Sequence, residues 1–318
     1  MKRFLSALLC AVLLLGLLPA VSPPAKMITS AVCSVNRTSA YIGDKIIFTC
    51  SDVLPADHGT LWCGWTVKNG GVTEYDDLPM TFYFYMSFPY YPKAAGTYTG
   101  SVLVNEYGVN TITVNSEPIS VKLRPATKIT KVEAMGSASL KLTWNKISGA
   151  AGYEVWRSTS KTTGYKLVKT TTALSFTNTF LKAGTRYFYK IRSYNMIAER
   201  VQHQVDTETW SKCPSSAFSV PAAAVPLAKS AIISAVGVSR TQVKLTWKKV
   251  AGATGYQILR SATPGGVYKS IKLTTALTYT AGGMLHAKTY YFKVRPYKQF
   301  GTVRYYGPLS GYKAGRTK

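Results

Sequence analysis

Acidic residues are scarce in this chain. It has 13 Asp and Glu against 39 Lys and Arg, and residues 227–318 contain no acidic residue at all. Histidine is scarcer still: His58, His203 and His286 lie far apart, none in a motif. No Gly-rich phosphate loop is present, and no Cys/His set has zinc spacing, so nucleotide and structural zinc sites have no support. Asp76 and Asp77 are adjacent and point to opposite faces of a strand, which suits neither an acid–base pair nor a calcium cage. Together these absences argue against an enzyme and against any cofactor or metal. No long stretch has helical period, and beyond residue 18 no apolar run approaches membrane length.

What is present is a secretion-type start. Lys2 and Arg3 precede a 15-residue apolar run, Phe4 to Leu18, and then Pro19, Ala20 and a Pro-rich stretch to Ala25. That order predicts a signal peptide over residues 1–25, cut after Ala20 or Ala25, since the run is short of the ~20 residues that cross a bilayer. The C-terminus shows no wall-sorting signal and no tail anchor, so the expectation is an exported chain, secreted or held on a surface non-covalently. Export permits disulfides among Cys33, Cys50, Cys63 and Cys213. The four allow three full pairings. If the first two strands pair about a turn near Ile42-Gly43, Cys33 and Cys50 face one another, and this is the expected disulfide.

Charge is uneven. Residues 26–123 hold 6 basic and 8 acidic side chains, residues 124–226 hold 15 and 5, and residues 227–318 hold 16 and none. The total of +26 is therefore concentrated in the C-terminal two-thirds. Such a body attracts polyanions through a salt-dependent field.

That same region is an internal repeat. Residues 139–195 align with 242–298 at a constant offset of 103 without a gap, and 23 of the 57 pairs are identical. Lys141-Leu142-Thr143-Trp144 matches Lys244-Leu245-Thr246-Trp247, and Gly152-Tyr153 matches Gly255-Tyr256. Leu140, Leu142 and Trp144 alternate with polar residues, as do Tyr187, Tyr189 and Ile191, which predicts strands with one buried face. Turn signals separate them at Ser148-Gly149, Ala183-Gly184 and Pro264-Gly265-Gly266. Several short strands in about 100 residues predict an all-β chain of three antiparallel β-sandwich modules in tandem. The boundaries fall at 26–123, 124–223 and 227–318, and the Pro–Ala stretch from Val220 to Pro226 reads as a semi-rigid linker. The middle module carries an insertion from Asn195 to Ala217.

Both repeats resemble bacterial fibronectin type III modules. The resemblance rests on the strand-B tryptophans Trp144 and Trp247 and on the stretches Gly152 to Arg157 and Gly255 to Arg260. A third feature is the segment Leu181 to Tyr187, similar to a tyrosine corner. The second repeat lacks the Gly-Thr of that corner. Residues 26–123, through the Ala95-Gly96-Thr97-Tyr98 segment, resemble a bacterial immunoglobulin-like domain more loosely. The resemblance implies fold rather than ligand, because these modules serve adhesion, spacing and substrate binding alike.

Two surfaces are candidate binding sites. One is the aromatic run from Phe82 to Tyr91, where Tyr83 and Tyr85 would form a platform for sugar or protein; the alternative is core and edge packing. The other is the outer face of the sheet holding strands C and F. Alternation points Lys190, Arg192 and Tyr194 outward beside Trp156, and Tyr291, Lys293, Arg295 and Tyr297 outward in the last module. The alternative is a solvated face packing locally on its own stems. Read as a site, it would take a cell-wall polyanion, a glycan or an extracellular protein, with nucleic acid less favoured because of export. The expected function is an exported, non-enzymatic binding or adhesion protein. A second expectation is a set of accessory or spacer modules for an extracellular carbohydrate-active system.

Overall fold

A computed structural model of the chain describes residues 30–54, 61–76, 80–82, 86–106, 110–200 and 208–318. The expected signal peptide, Tyr83 and Tyr85 lie outside the described residues. Every helix-or-strand element among the described residues is a strand, and the strands make three β-sandwiches in tandem.

The first sandwich comprises β1 (Ser30–Val35), β2 (Ser39–Tyr41), β3 (Ile46–Leu54), β4 (Leu61–Asn69), β5 (Val72–Asp76), β6 (Met80–Phe82), β7 (Met86–Tyr90), β8 (Gly96–Glu106), β9 (Asn110–Asn115) and β10 (Ile119–Lys122). The second comprises β11 (Ile129–Gly136), β12 (Ser139–Trp144), β13 (Gly152–Ser158), β14 (Lys166–Thr171), β15 (Ser175–Asn178), β16 (Tyr187–Arg200), β17 (Glu208–Pro214) and β18 (Ala222–Ala224). The third repeats it with β19 (Ile232–Ser239), β20 (Gln242–Trp247), β21 (Gly255–Ser261), β22 (Lys269–Thr274), β23 (Thr278–Ala281), β24 (Thr289–Phe300), β25 (Val303–Tyr306) and β26 (Lys313–Arg316).

The chain divides into two compact units. The first holds residues through Asn36, Ile47–Phe88 and Thr99–Pro118; the second holds Arg37–Ile46, Pro89–Tyr98 and Ile119–Lys318. In the first unit β3 pairs β1 and β7, with Cys33 opposite Cys50 in the β1–β3 ladder. Phe48, Trp65 and Phe88 are buried there, and Trp65 stacks on Phe88 at 6.0 Å. The register expected for the cysteines is present, but the connection differs from a simple hairpin. β2 intervenes and runs parallel to β10 in another sheet. No disulfide joins the cysteines among the described residues. Burial, reinforced by the Cys50 thiol, pushes the Cys33 thiol up to about 12.

In the second unit the two repeats fold alike. Each has a three-stranded sheet, β11-β12-β15 or β19-β20-β23, facing a larger one, β14-β13-β16-β17 with β18 on β16, or β22-β21-β24-β25 with β26 on β24. Alternation decides which residues go inside. Leu140, Leu142, Val155, Tyr189 and Ile191 fill one core; Val243, Leu245, Ile258, Phe292 and Val294 fill the other. Trp144 and Trp247 are 3% and 2% exposed, and each ring centroid lies 5.8 Å from its strand-C tyrosine, Tyr153 or Tyr256. Burial of such a side chain stabilises by roughly 1.5–3 kcal/mol, before the aromatic pairing adds its part.

Both tyrosine corners are made. Lys182 N–H donates to Tyr187 Oη at 3.1 Å, and Leu285 N–H donates to Tyr290 Oη at the same distance. The third module forms its corner without the glycine by placing Ala287 at φ 54°, where the second module has Gly184 at 74°. The reverse exchange occurs nearby: Phe180 sits at φ 56° where the third module has Gly283 at 67°.

The Pro–Ala stretch is not a spacer. Ala222–Ala224 is the strand β18, hydrogen-bonded to β16. Ala224 packs in the second core and the next residue, Val225, packs in the third. Gly184 N–H donates to Pro226 O at 3.0 Å, and a Cβ added to Gly184 would come within 2.7 Å of Gly252 Cα. Two consecutive residues thus belong to two cores, which leaves no slack between the modules.

The insertion also has a place within this unit. It extends β16 and pairs it with β17 from Tyr194↔Pro214 to Arg200↔Glu208. Its base meets the segments 37–46 and 89–98. Asn195 Nδ2 donates to Ile42 O at 3.3 Å, Trp210 meets Tyr91 edge-on at 5.7 Å, and buried Cys213 lies 3.5 Å from Lys93 O. Arg124 is 7% exposed, pairs with Asp44, donates to Ser148 O and lies over the Tyr41 ring.

Candidate functional site

Strand β16 presents residues 188, 190 and 192 on the outward phase, and the cations among them come to rest on aromatic rings. Lys190 Nζ lies 4.0 Å from the Tyr165 ring centroid and 5.2 Å from that of Phe218. The Arg192 guanidinium lies 4.8 Å from Phe218 and 5.4 Å from Trp156, whose rings meet edge-on at 5.7 Å. Arg192 Nε donates to Glu154 Oε2 at 2.7 Å, and Trp156 Nε1 donates to the same oxygen at 3.2 Å. Glu154 therefore sits as a built-in carboxylate among the cations, its side chain 12% exposed.

The third module builds the same ladder. Lys293 Nζ lies 4.1 Å from the Tyr268 ring, and the Arg295 guanidinium lies 4.1 Å from the Tyr306 ring. Tyr291 meets Tyr312 at 5.5 Å. Where the second module has Glu154, this one has Gln257, whose Oε1 accepts from Arg295 Nε at 2.6 Å. The hydrogen bond is kept and the negative charge is gone. Burial raises the pKa of Tyr165 and Tyr268, with Tyr312 and Tyr291 adding to the rise at Tyr268, so both rings under the lysines stay neutral. Each cation–π contact adds about 0.5–1 kcal/mol and fixes where the charge points.

Trp156, Lys190, Arg192, Lys293 and Arg295 thus lie half-buried on the expected faces, with Tyr291 beside them. Tyr194 and Tyr297 do not. They are 7% and 5% exposed, because their rings fold across Gly152 and Gly255, where any Cβ would come within 2.5 Å of the tyrosine oxygen. Phe188 is buried too, under Arg186 at 5.0 Å. In the aromatic run, Phe88 is core and Tyr90 packs on Tyr98 at 5.9 Å, so these two serve packing.

Sequence reasoning missed Glu154, Tyr165 and Phe218 in the second module, and Gln257, Tyr268 and Tyr306 in the third. Tyr165 and Tyr268 could have been found, as they are an identical pair at the offset of 103. Phe218 and Tyr306 lie beyond the gapless repeat and had no such signal.

No family model matches the chain. Exoglucanase B of Cellulomonas fimi is 33% identical over 165 residues, which is 49% of this chain and 13% of the exoglucanase. The chain thus spans a small part of that relative's length. Among solved structures, the chicken CNTN1 FN1-FN3 domains align with 16% identity over 90% of this chain and 98% of that one, at a TM-score of 0.29. Three strands facing four or more, a buried tryptophan on the second strand and a tyrosine corner in each copy show that the two repeats share one antiparallel β-sandwich architecture.

Proposed function

We propose that this is an exported, non-catalytic binding protein whose fibronectin modules hold anionic polymers of a cell wall or extracellular matrix. The observation that carries this is the repeated ladder of lysine and arginine stacked on aromatic rings, with 16 basic and no acidic residues in the last module. Aromatic stacking holds the cations in place, so little side-chain entropy remains to be lost on binding. The field around them draws in polyanions and weakens with salt.

The test is retention of the mature chain on immobilised heparin and on poly(glycerol phosphate). Retention at low salt with release at about 0.5–1 M salt is expected, as the Debye length falls toward ~3–4 Å. Retention equal to that of a neutral matrix, or indifferent to salt, overturns the reading. A second reading, accessory modules of an extracellular carbohydrate-active system, is favoured by the similarity to Exoglucanase B. Salt-insensitive binding to insoluble cellulose would support it in place of the first.

A further inference from the structure

The two ladders are built alike but are not equally charged. On the face of the second module Lys190 and Arg192 share their surroundings with the Glu154 carboxylate, 2.7 Å from Arg192 Nε. On the face of the third, Lys293 and Arg295 keep full charge, because Gln257 supplies the same hydrogen bond as a neutral amide. Gln257 is itself held by Ser270, its Nε2 donating to the Ser270 hydroxyl at 2.9 Å. Residues 227–318 contain no carboxylate side chain that could replace the missing one.

We propose that the residue at this one position, Glu154 or Gln257, decides which module binds more strongly: the third module takes the phosphate or sulfate groups of a linear polymer, and the second is partly neutralised by its own carboxylate. This rests on the polyanion reading above and names the site within it. Lys293 and Arg295 are two residues apart on β24, so their stems leave the strand about 7 Å apart on one face. A linear polymer with an anionic group at each repeat can engage both. Arginine offers a fork of donors and lysine a point charge, and both suit tetrahedral oxyanions. In the second module the same approach would set the ligand's charge against Glu154.

The exchange of charge at one atom position gives an isosteric test on the full chain. Gln257→Glu should weaken binding to immobilised heparin, as the sulfated probe, and to poly(glycerol phosphate), as the phosphate probe, by about tenfold at low salt. The slope of log K against log salt should fall in magnitude by about one. Glu154→Gln should do the opposite, tightening binding and steepening the slope. Loss on one probe alone identifies which oxyanion the site prefers and still supports the proposal. Lys293→Gln, which leaves position 257 untouched, should weaken binding without any change in fold. If the wild type binds and Gln257→Glu binds equally well with an unchanged slope, the proposal is overturned while the polyanion reading stands. If the wild type binds neither probe, both fall.

Discussion

The second and third modules share a core and differ at their edges. Inside, the copies are nearly interchangeable: tryptophan on strand B, tyrosine on strand C, and a tyrosine corner held by one backbone N–H. Outside, the middle module carries a long β16–β17 hairpin, where the last has the short β24–β25 turn. It also carries Glu154 where the last has Gln257, and a glycine and phenylalanine where the last has an alanine and a glycine. The difference teaches that packing constrains the inward phase of each strand, while the outward phase and the loops are free to acquire separate tasks. The middle module spends its hairpin on contacts with segments 37–46 and 89–98. The last keeps its charge uncompensated.

The deepest test of that comparison is the pair of buried tryptophans. If the cores are equivalent, Trp144→Ala and Trp247→Ala should each cost about 3–5 kcal/mol, comparable to the whole stability of a single module. Calorimetry of the full chain should show either variant breaking the joint transition of the two modules, with the unfolding enthalpy reduced by the mutated module's share. Near-wild-type melting of Trp247→Ala would contradict the inward register.

A second test sets the first sandwich, whose β1–β3 ladder carries an opposed cysteine pair, against the other two, which have none. Directly opposed residues in an antiparallel ladder have Cα atoms about 4.5–5.5 Å apart, inside the range a disulfide accepts. In an oxidising compartment Cys33 and Cys50 are expected to join and to add about 3 kcal/mol. Reduced, the buried Cys33 thiol favours its neutral form. Its contribution is full below pH 9 and is lost as pH rises toward about 12. Oxidation should abolish that alkaline loss. Peptide mapping without reductant that finds Cys50 joined to Cys63 would exclude the pairing.

Much of this was legible because strand periodicity and a gapless repeat mark which residues face in. The repeat also located Lys190, Arg192, Lys293 and Arg295. Tyr194 and Tyr297 misled because alternation gives the side of the sheet and not the rotamer; both rings lie flat across a glycine on the neighbouring strand. The linker misled for a different reason. Alanine and proline look like a spacer by composition, but Ala222–Ala224 pairs with β16 through long-range hydrogen bonds that no local pattern announces. The Cys33–Cys50 register came from symmetry about a turn, and β2 supplied an interruption that symmetry could not reveal.

The junction offers a third test. Gly184 and Gly252 have φ of 74° and 79° and touch through their backbones. Gly252→Ala places a methyl group within 2.7 Å of Gly184 Cα and adds a left-handed penalty of about 1–2 kcal/mol. The two modules should then melt as separate transitions, whereas the wild type should melt them together. A single sharp transition in the variant would show that coupling lies elsewhere, for instance in Arg186, which lies 4.5 Å from the Phe300 ring across the junction.

The smallest expected effect is the most diagnostic of how the copies diverged. In the turn that leads into β16 or β24 each module has two left-handed positions, and each fills one with glycine and one without: Phe180 and Gly184 in the second, Gly283 and Ala287 in the third. A non-glycine residue there costs about 1–2 kcal/mol, against which glycine brings about 0.4–1 kcal/mol of extra unfolded-chain entropy. The difference predicts that Ala287→Gly stabilises the third module by about 0.5–1 kcal/mol and Phe180→Gly the second by a similar amount. Neither change should lose packing, because Ala287 is exposed and Phe180 is 97% exposed. Denaturant melts of the two single variants and the double should show additive gains, as the sites lie in different modules. A gain for Ala287→Gly with a loss for Phe180→Gly would mean that the phenylalanine ring makes a stabilising contact in solution. Its strained backbone would then be offset by packing, and the equivalence of the two modules at this turn would not hold.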